Sequence, residues 1–589
     1  MANKMGPPRA TGDSAESTKR TFSMSRSGLY LVAEQDGEER RSRVSDPFQV
    51  VGNVSDPNGS SYGIMLRWRD DRGRQKQQLV PLRLFDGARH EICAQLLDGG
   101  LRIEKPNIFL KYIWRHSRTA VKAHLAFTTG WFDPARYVLP DEIVGPQLGN
   151  EAKVIYAGRS ETPHYFHASG TIEEWQEHLS RRCIGNSRLV LAVCCSFAGP
   201  LLRLAGGESV GVHLRGPSSI GKSTAGYVGG SVVGGGGPKG FARSWHATMN
   251  GLEAVAALHN DAILILDELS QVDPRDAVKS IYMLGNNAGK NRMNADGTQR
   301  RTSEWRLAIL SSGEVKLGEH AGVRTRGGSE VRLLDIDADA GRGMGLFDDI
   351  RGTPAPKAFA DELKAAALRF YGTPFREYLR RLCDIDPDIR PEVILSYRDE
   401  FIELCGLNHA TPEVGRAASH MALLAAAGEL ATRMGITGWP HGEAITQVKR
   451  CFDAWVADRG GQQAAHDEEQ ALAAVRRYLE QNGSSRFEPV RRGKLPDQST
   501  TPVPVRDRAG FWRRAADGST EFLFFRETFK SEVCAGFDVN RVLKALAKRD
   551  VLRREGKSMT IKTRLPGLGN IRVYCVRGAI IGGDDKDTH

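Results

Sequence analysis

A chain of 589 residues, 40% apolar and 26% charged, is too long for a single hydrophobic core and too apolar to be a disordered polymer, so three or four globular domains are expected. Its 82 Lys and Arg against 71 Asp and Glu leave a net charge of +11, which favours a polyanionic partner, most simply nucleic acid. Nine scattered cysteines without one C-x-x-C pair argue against a zinc cluster or a disulfide framework and suit a reducing cytoplasm.

Residues 1–20 are small, polar and charged, lack the apolar core of a signal peptide, and are expected to form a disordered tail. From 21 to 170 the chain runs in short alternating segments cut by Gly, Asn, Asp and Pro. The "DDRG" within "YGIMLRWRDDRGRQKQQLVPL" is a hairpin turn signal. This stretch reads as a β-rich N-terminal domain whose residues name no chemistry. The apolar run Leu189–Ala205 holds Pro200 and Arg203 and falls short of a membrane span, so a buried helix and no membrane partner are expected.

Helical patterns alternate with apolar strands from 171 to 345, as in an α/β sheet. "GVHLRGPSSIGKSTA" contains G-x-x-x-x-G-K-S between a strand-like "SVGVHL" and a helix-like "STAGYVGGSVVG". In that setting Gly216, Pro217, Ser218, Ser219, Ile220 and Gly221 are expected to wrap ATP phosphates with their backbone, followed by Lys222, Ser223 and Thr224 at a helix N-terminus. Lys222 neutralises β/γ-phosphate charge and the Ser223 hydroxyl ligates Mg²⁺. Further on, the buried strand Ile263–Leu266 ends in Asp267 and Glu268, which places both carboxylates at the edge where open α/β sheets bind ligands. Asp267 is assigned to Mg²⁺ through water, and Glu268 to the attacking water. A fortuitous glycine turn or a helix-capping acid explains either motif alone, but not the two together.

The next strand, "WRLAILSS", ends in Ser311 and Ser312, where additional-strand ATPases place a polar residue against the γ-phosphate or the lytic water. Arg324 or Arg326, in "EHAGVRTRGGSEVRLLDID", stands where ring ATPases carry a finger for the neighbouring subunit's nucleotide. The alternative for these arginines is a surface ion pair worth little. Between the Asp267 strand and the Ser312 strand lies "NNAGKNRMNADGTQRRTSEW", whose Asp-Gly centre predicts a hairpin. At that position a hairpin marks ring helicases, with Lys290, Arg292, Arg300 and Arg301 facing DNA phosphates; otherwise it is a solvated arm.

Residues 346–465 read as a helical lid and connecting helices. Arg416, at the start of "VGRAASHMALLAAAGELATRMG", is a candidate second nucleotide sensor. In 466–589 a Pro-, Ser- and charge-rich linker precedes a winged-helix pattern: one helix from Arg526 to Cys534, a second, "VNRVLKALAKRD", with Val539, Val542, Leu543 and Leu546 on one face, then two strands. Between Arg526 and Arg572 twelve Lys and Arg face five Asp and Glu, so Lys544, Lys548, Arg549, Lys557 and Lys562 are candidates for backbone phosphate.

"RGPSSIGKST", "NGLEAVAALHNDAILILDELSQVD", "LAILSSGE" and "VGRAASHMALLAAAGELA" together resemble the domain-of-unknown-function 927 family, found on mobile genetic elements and phages. The resemblance implies an AAA+ ATPase core akin to the minichromosome-maintenance helicases, hexameric and translocating on single-stranded DNA, with a β-rich N-terminal part and a C-terminal winged helix. The expected function is thus an ATP- and Mg²⁺-dependent DNA helicase, a cytoplasmic homo-oligomer replicating a mobile element or phage. An ATP-regulated DNA-binding initiator or remodeller is the alternative, and a small-molecule P-loop kinase stands further behind.

Overall fold

The computed structural model describes residues 20–35, 38–56, 59, 62–118, 120–146, 153–158, 164–237, 240–290, 292–293, 299–300, 302–315, 332–407, 410–459, 461, 466–490, 507–535, 537, 539–556 and 558–581. They fall into two compact units, Met1–His164 and Tyr165–His589. The core, helical and C-terminal segments distinguished in the sequence all lie in the second.

In the first unit an antiparallel sheet of Arg20–Ser25, Gly28–Gln35 and Glu38–Ser45 accompanies a five-stranded sheet. The latter holds the hairpin Tyr62–Arg69/Gln75–Pro81, closed where the Gly73 N–H donates to the Asp70 carbonyl at 2.8 Å. To this β-structure the fold adds two helices, Arg89–Asp98 and Pro106–Ser117. Phe109, Leu110, Tyr112 and Ile113 of the second helix join Ile64, Leu66 and Trp68 of the sheet in one core. This apolar face is only three turns long and starts at a proline, so it is short enough to pass for a broken strand pattern.

The second unit is built on a five-stranded parallel sheet. Across it the order is Arg243–Ser244, Ala262–Asp267, Leu307–Gly313, Val210–Arg215 and Leu334–Asp337. The central strands are buried along nearly their whole length, as apolar runs covered on both faces must be. Leu264, Leu266, Leu307 and Ile309 pack against helices Met249–Leu258 and Pro274–Gly285. Helix Ser187–Leu204 lies on the sheet so closely that a Cβ at Gly199 would stand 2.4 Å from the Ala262 Cα. That helix is long and apolar enough to cross a membrane by composition, but 89% of it is buried within the unit.

Helices Pro356–Ala367, Thr373–Asp384, Arg390–Cys405, Pro412–Arg433 and Glu443–Asp458 follow the sheet. In the C-terminal segment helix His466–Asn482, the short helix Arg526–Thr528 continued by the π-turn Phe529–Val533, and helix Val539–Lys548 pack on a mixed six-stranded sheet. Val542, Leu543 and Leu546 are buried there. The segment expected to be a linker contributes strand Phe487–Pro489, paired in parallel with Gly510–Trp512, and a further hairpin, Gly510–Arg514/Thr520–Phe524, joins it to the main sheet. The strand escapes a sequence pattern because three residues, one of them a proline, set among arginines carry no periodicity.

Glu521 ties this sheet together. It is 2% exposed and accepts from Arg513 Nε at 2.8 Å and from an Arg553 guanidinium nitrogen at 2.7 Å. Burial alone would push its carboxyl up, but the hydrogen bonds from Arg553 and Arg513 outweigh it and hold the group below its ordinary 4.5. A depressed folded value contributes stability that is present above 4.5 and is lost as pH falls through the folded value. Glu521→Ala is expected to cost about 2 to 3 kcal/mol at neutral pH, below the figure for a fully enclosed pair because Arg553 is half exposed. Denaturant midpoints at pH 7 and pH 3 should show the difference from wild type shrinking in acid.

Candidate nucleotide site

The strand Val210–Arg215 feeds the glycine-rich loop directly into helix Lys222–Val233. Gly221 caps that helix at φ 109°, a conformation side-chain-bearing residues rarely adopt, and so aims the first free N–H groups of the helix at the loop's interior. Lys222 Nζ donates to the Gly216 and Pro217 carbonyls, both at 2.6 Å, which holds the ammonium within its own loop. Burial pulls its pKa below the usual lysine value, and Glu314, Asp267 and Glu268 pull against that.

The sheet order puts Leu307–Gly313 between the loop strand and the Asp267 strand. Leu214 is therefore registered with Ser312, and Leu266 with Ser311. Strand alternation then separates the two serines. Ser311 is buried and accepts from Trp245 Nε1 at 2.9 Å, with His213 Nδ1 2.8 Å away. Ser312 faces the site and donates to Asp267, while its oxygen lies 3.4 Å from the Glu268 N–H. Of the two serines left open by the sequence, Ser312 is the one set against the acidic pair.

Glu268 has φ 64°, unusual for a side-chain-bearing residue, and its carboxylate accepts from Gln271 Nε2. Backbone conformations of this kind persist where the surroundings over-determine them, often at functional sites. Here the strain turns the chain sharply off the sheet edge into the short helix Leu269–Gln271.

These groups line one cleft of about 820 Å³, with Ser218 to Thr224 on one wall and Asp267, Glu268 and Ser312 on another. The Thr224 hydroxyl is buried without a hydrogen-bond partner among the described residues, as a group reserved for a ligand would be. The donors gathered here, the Ser223 hydroxyl and the Asp267 carboxylate, are hard oxygens of the kind magnesium takes.

Sequence reasoning missed several lining residues. The loop Gly343–Phe347 closes one side, its Leu346 N–H donating to the Ile220 carbonyl at 2.8 Å. Gly345, at φ 64°, is needed because a Cβ there would stand 2.7 Å from the Ile220 oxygen. The alternating glycines of "GRGMG" were the available signal. Lys357, Asp361 and Lys364 of helix Pro356–Ala367 also reach the cleft, and nothing in their spacing distinguishes them from an ordinary solvated face.

Arg416 does not line this cleft and lies on the first turns of Pro412–Arg433. Val414, Ala417 and Ala418 take the buried face, so the arginine must point away from it. Arg324, Arg326, Arg301 and Lys557 lie outside the described residues.

The expected hairpin forms. Arg292–Met293 pairs antiparallel with Gln299–Arg300, Arg292 opposite Arg300. Its base is held by Gly289 N–H to the Ser303 carbonyl at 2.8 Å and Trp305 N–H to the Asn287 carbonyl at 3.0 Å, with buried Trp305 bonded to the Leu284 carbonyl. Lys290 is exposed and Met293 is 74% exposed. In the C-terminal segment Lys544, Lys548, Arg549 and Lys562 are exposed as well.

Ser312→Ala is expected to lower the turnover of nucleotide hydrolysis about tenfold to a hundredfold while leaving nucleotide affinity within about threefold, because it removes one oriented hydroxyl beside Asp267. Steady-state phosphate release with a fluorescent-nucleotide titration checks both halves.

Taken together, the chain is a multidomain α/β protein with a glycine-rich loop, two acidic residues and a polar strand end gathered on one edge of a parallel sheet. Residues 22–305 match the model of the family described as Domain of unknown function (DUF927), the family its motifs resemble. No curated protein matches the sequence. Among solved structures, the fold is shared with one described as "SCCmec type IV Cch - active helicase". That match has a TM-score of 0.68 at 17% identity and covers 95% of this chain and 98% of that chain. Another, NtrX from Brucella abortus in complex with ATP, has a TM-score of 0.19 at 11% identity over 59% of this chain and 86% of that chain, too low to carry an argument.

Proposed function

We propose that this protein is an ATP-dependent, ring-forming DNA helicase or translocase that serves the replication of a mobile genetic element or phage. One observation carries the reading: a hairpin with paired arginines is inserted between the strand bearing Asp267 and the strand bearing Ser312. A displacement at the cleft is thereby connected to a basic arm through a single strand and a single helix. The fold shared with a protein described as an active helicase supports it.

In this reading the chain is an AAA+ ATPase with a helical lid and a C-terminal winged helix. ATP phosphates displace the Gly216 and Pro217 carbonyls from Lys222, whose ammonium then neutralises β/γ charge. Ser223 and Asp267 would hold Mg²⁺, which supplies further neutralisation of the phosphates when bound. Glu268 orients and polarises the attacking water, and Ser312 senses whether the γ-phosphate is present. Arg324 or Arg326 acts on the neighbouring subunit's nucleotide, and Arg416 is available only to a neighbour. The hairpin grips single-stranded DNA, while Lys544 and Lys548 contact duplex phosphate.

A strand-displacement assay on tailed duplexes tests the proposal. ATP-dependent release of the labelled strand is expected. ATP hydrolysis with duplex binding but no released strand would overturn the helicase in favour of an initiator or remodeller.

A further inference from the structure

In the first unit, one helix has a surface that solvent exposure alone does not explain. On Pro106–Ser117 the buried face is Phe109, Leu110, Tyr112 and Ile113. The opposite face presents Lys111, Trp114, Arg115 and, at the helix cap, Arg118, spaced i, i+3, i+4 and i+7, all exposed. Trp114 is 47% exposed although a shift of one position would bury it. From Pro106 to Arg118 there are three Lys and Arg and no Asp or Glu. None of Lys111, Arg115 and Arg118 is paired with a carboxylate among the described residues.

The indole is held in place. Its ring lies 5.1 Å from that of Phe85, at 46°. Phe85 ends the short helix Leu82–Phe85, which also carries exposed Arg83. Arg89 Nε donates to the Phe85 carbonyl at 2.7 Å and so keeps a further guanidinium beside the aromatic pair. The result is an aromatic pair, its indole exposed, beside the cations Lys111, Arg115 and Arg118 of the same helix face.

We propose that this face, centred on Trp114, is a second nucleic-acid contact, specific for single strands. An unpaired base stacks on the indole while Lys111, Arg115 and Arg118 follow the backbone phosphates. Stacking requires a base whose face is free, which a duplex does not offer, and the clustered cations select a polyanion over an apolar protein surface. The inference stands on the first unit's own residues and does not depend on the helicase reading.

The test uses the full chain without nucleotide and a fluorescein-labelled thirty-mer of dT, read by anisotropy. Trp114→Ala is expected to weaken binding about tenfold, and Trp114→Phe to restore most of it. The triple variant Lys111→Glu, Arg115→Glu, Arg118→Glu should lower the slope of log affinity against log salt by about 2. A matched duplex should respond to the charge changes but not to Trp114→Ala. Unchanged dT affinity in both the alanine and the triple variant overturns the proposal, as does an equal effect of Trp114→Ala on single strand and duplex. If Trp114→Ala lowers the melting temperature, the salt slope of the triple variant, which alters only exposed charges, decides the matter.

Discussion

Lys222→Ala is expected to reduce ATP hydrolysis by at least about a hundredfold, the loss that follows removal of one preorganised charge from a developing phosphoryl transition state. The geometry makes this residue hard to replace. Its ammonium sits within 2.6 Å of two loop carbonyls, at the head of a helix whose left-handed cap only glycine fits comfortably. Lys222→Arg should not rescue activity, because the planar guanidinium cannot occupy the compact position between the Gly216 and Pro217 oxygens. Glu268→Gln makes the complementary case: nucleotide binding persists while phosphate release falls. Phosphate release and a nucleotide-binding titration, run on all three variants, distinguish these outcomes. Hydrolysis by Lys222→Ala at even a third of the wild-type rate would remove the loop from the mechanism.

The second large effect is expected at the hairpin. Arg292 and Arg300 occupy directly opposed positions, and like charges in such register destabilise a ribbon unless something else stabilises it. Reversing both, Arg292→Glu with Arg300→Glu, should bring strand displacement below detection. The change in DNA-independent hydrolysis should be at least about tenfold smaller, since the hairpin is joined to the cleft only through helix Pro274–Gly285 and strand Leu307–Gly313. Displacement and hydrolysis measured on the same preparation give that ratio. A double variant that unwinds normally would show the hairpin to be a solvated arm, and an equal loss in both assays would show that it supports the sheet.

Much of the second unit is legible in the amino-acid sequence. The runs at Ala262–Asp267 and Leu307–Gly313 open on continuous apolar residues because both faces are covered, and Val210–Arg215 shows the alternation of a strand; such runs stand out in any sequence. Gly221 and Lys222 are legible for a different reason: a left-handed cap, and a cation proposed to bind phosphate, leave few residue types to choose from. Less visible are elements whose reason is distant in the chain. Strand Phe487–Pro489 exists because Gly510–Trp512 pairs with it, and Pro106–Ser117 is anchored by a sheet some forty residues earlier.

The same division runs through the site. Residue type and spacing determined the loop, the acidic pair and the pairing of Arg292–Met293 with Gln299–Arg300, since local backbone geometry and charge dictate each of them. Which serine faces the acids was decided by the tertiary structure alone. Inserting Leu307–Gly313 between its two neighbours fixes the register, and a shift of one residue would exchange Ser311 for Ser312. The Gly343–Phe347 wall and the outward turn of Arg416 were likewise settled by packing. Both depend on which face of a later segment the core claims, and no short window of sequence contains that information.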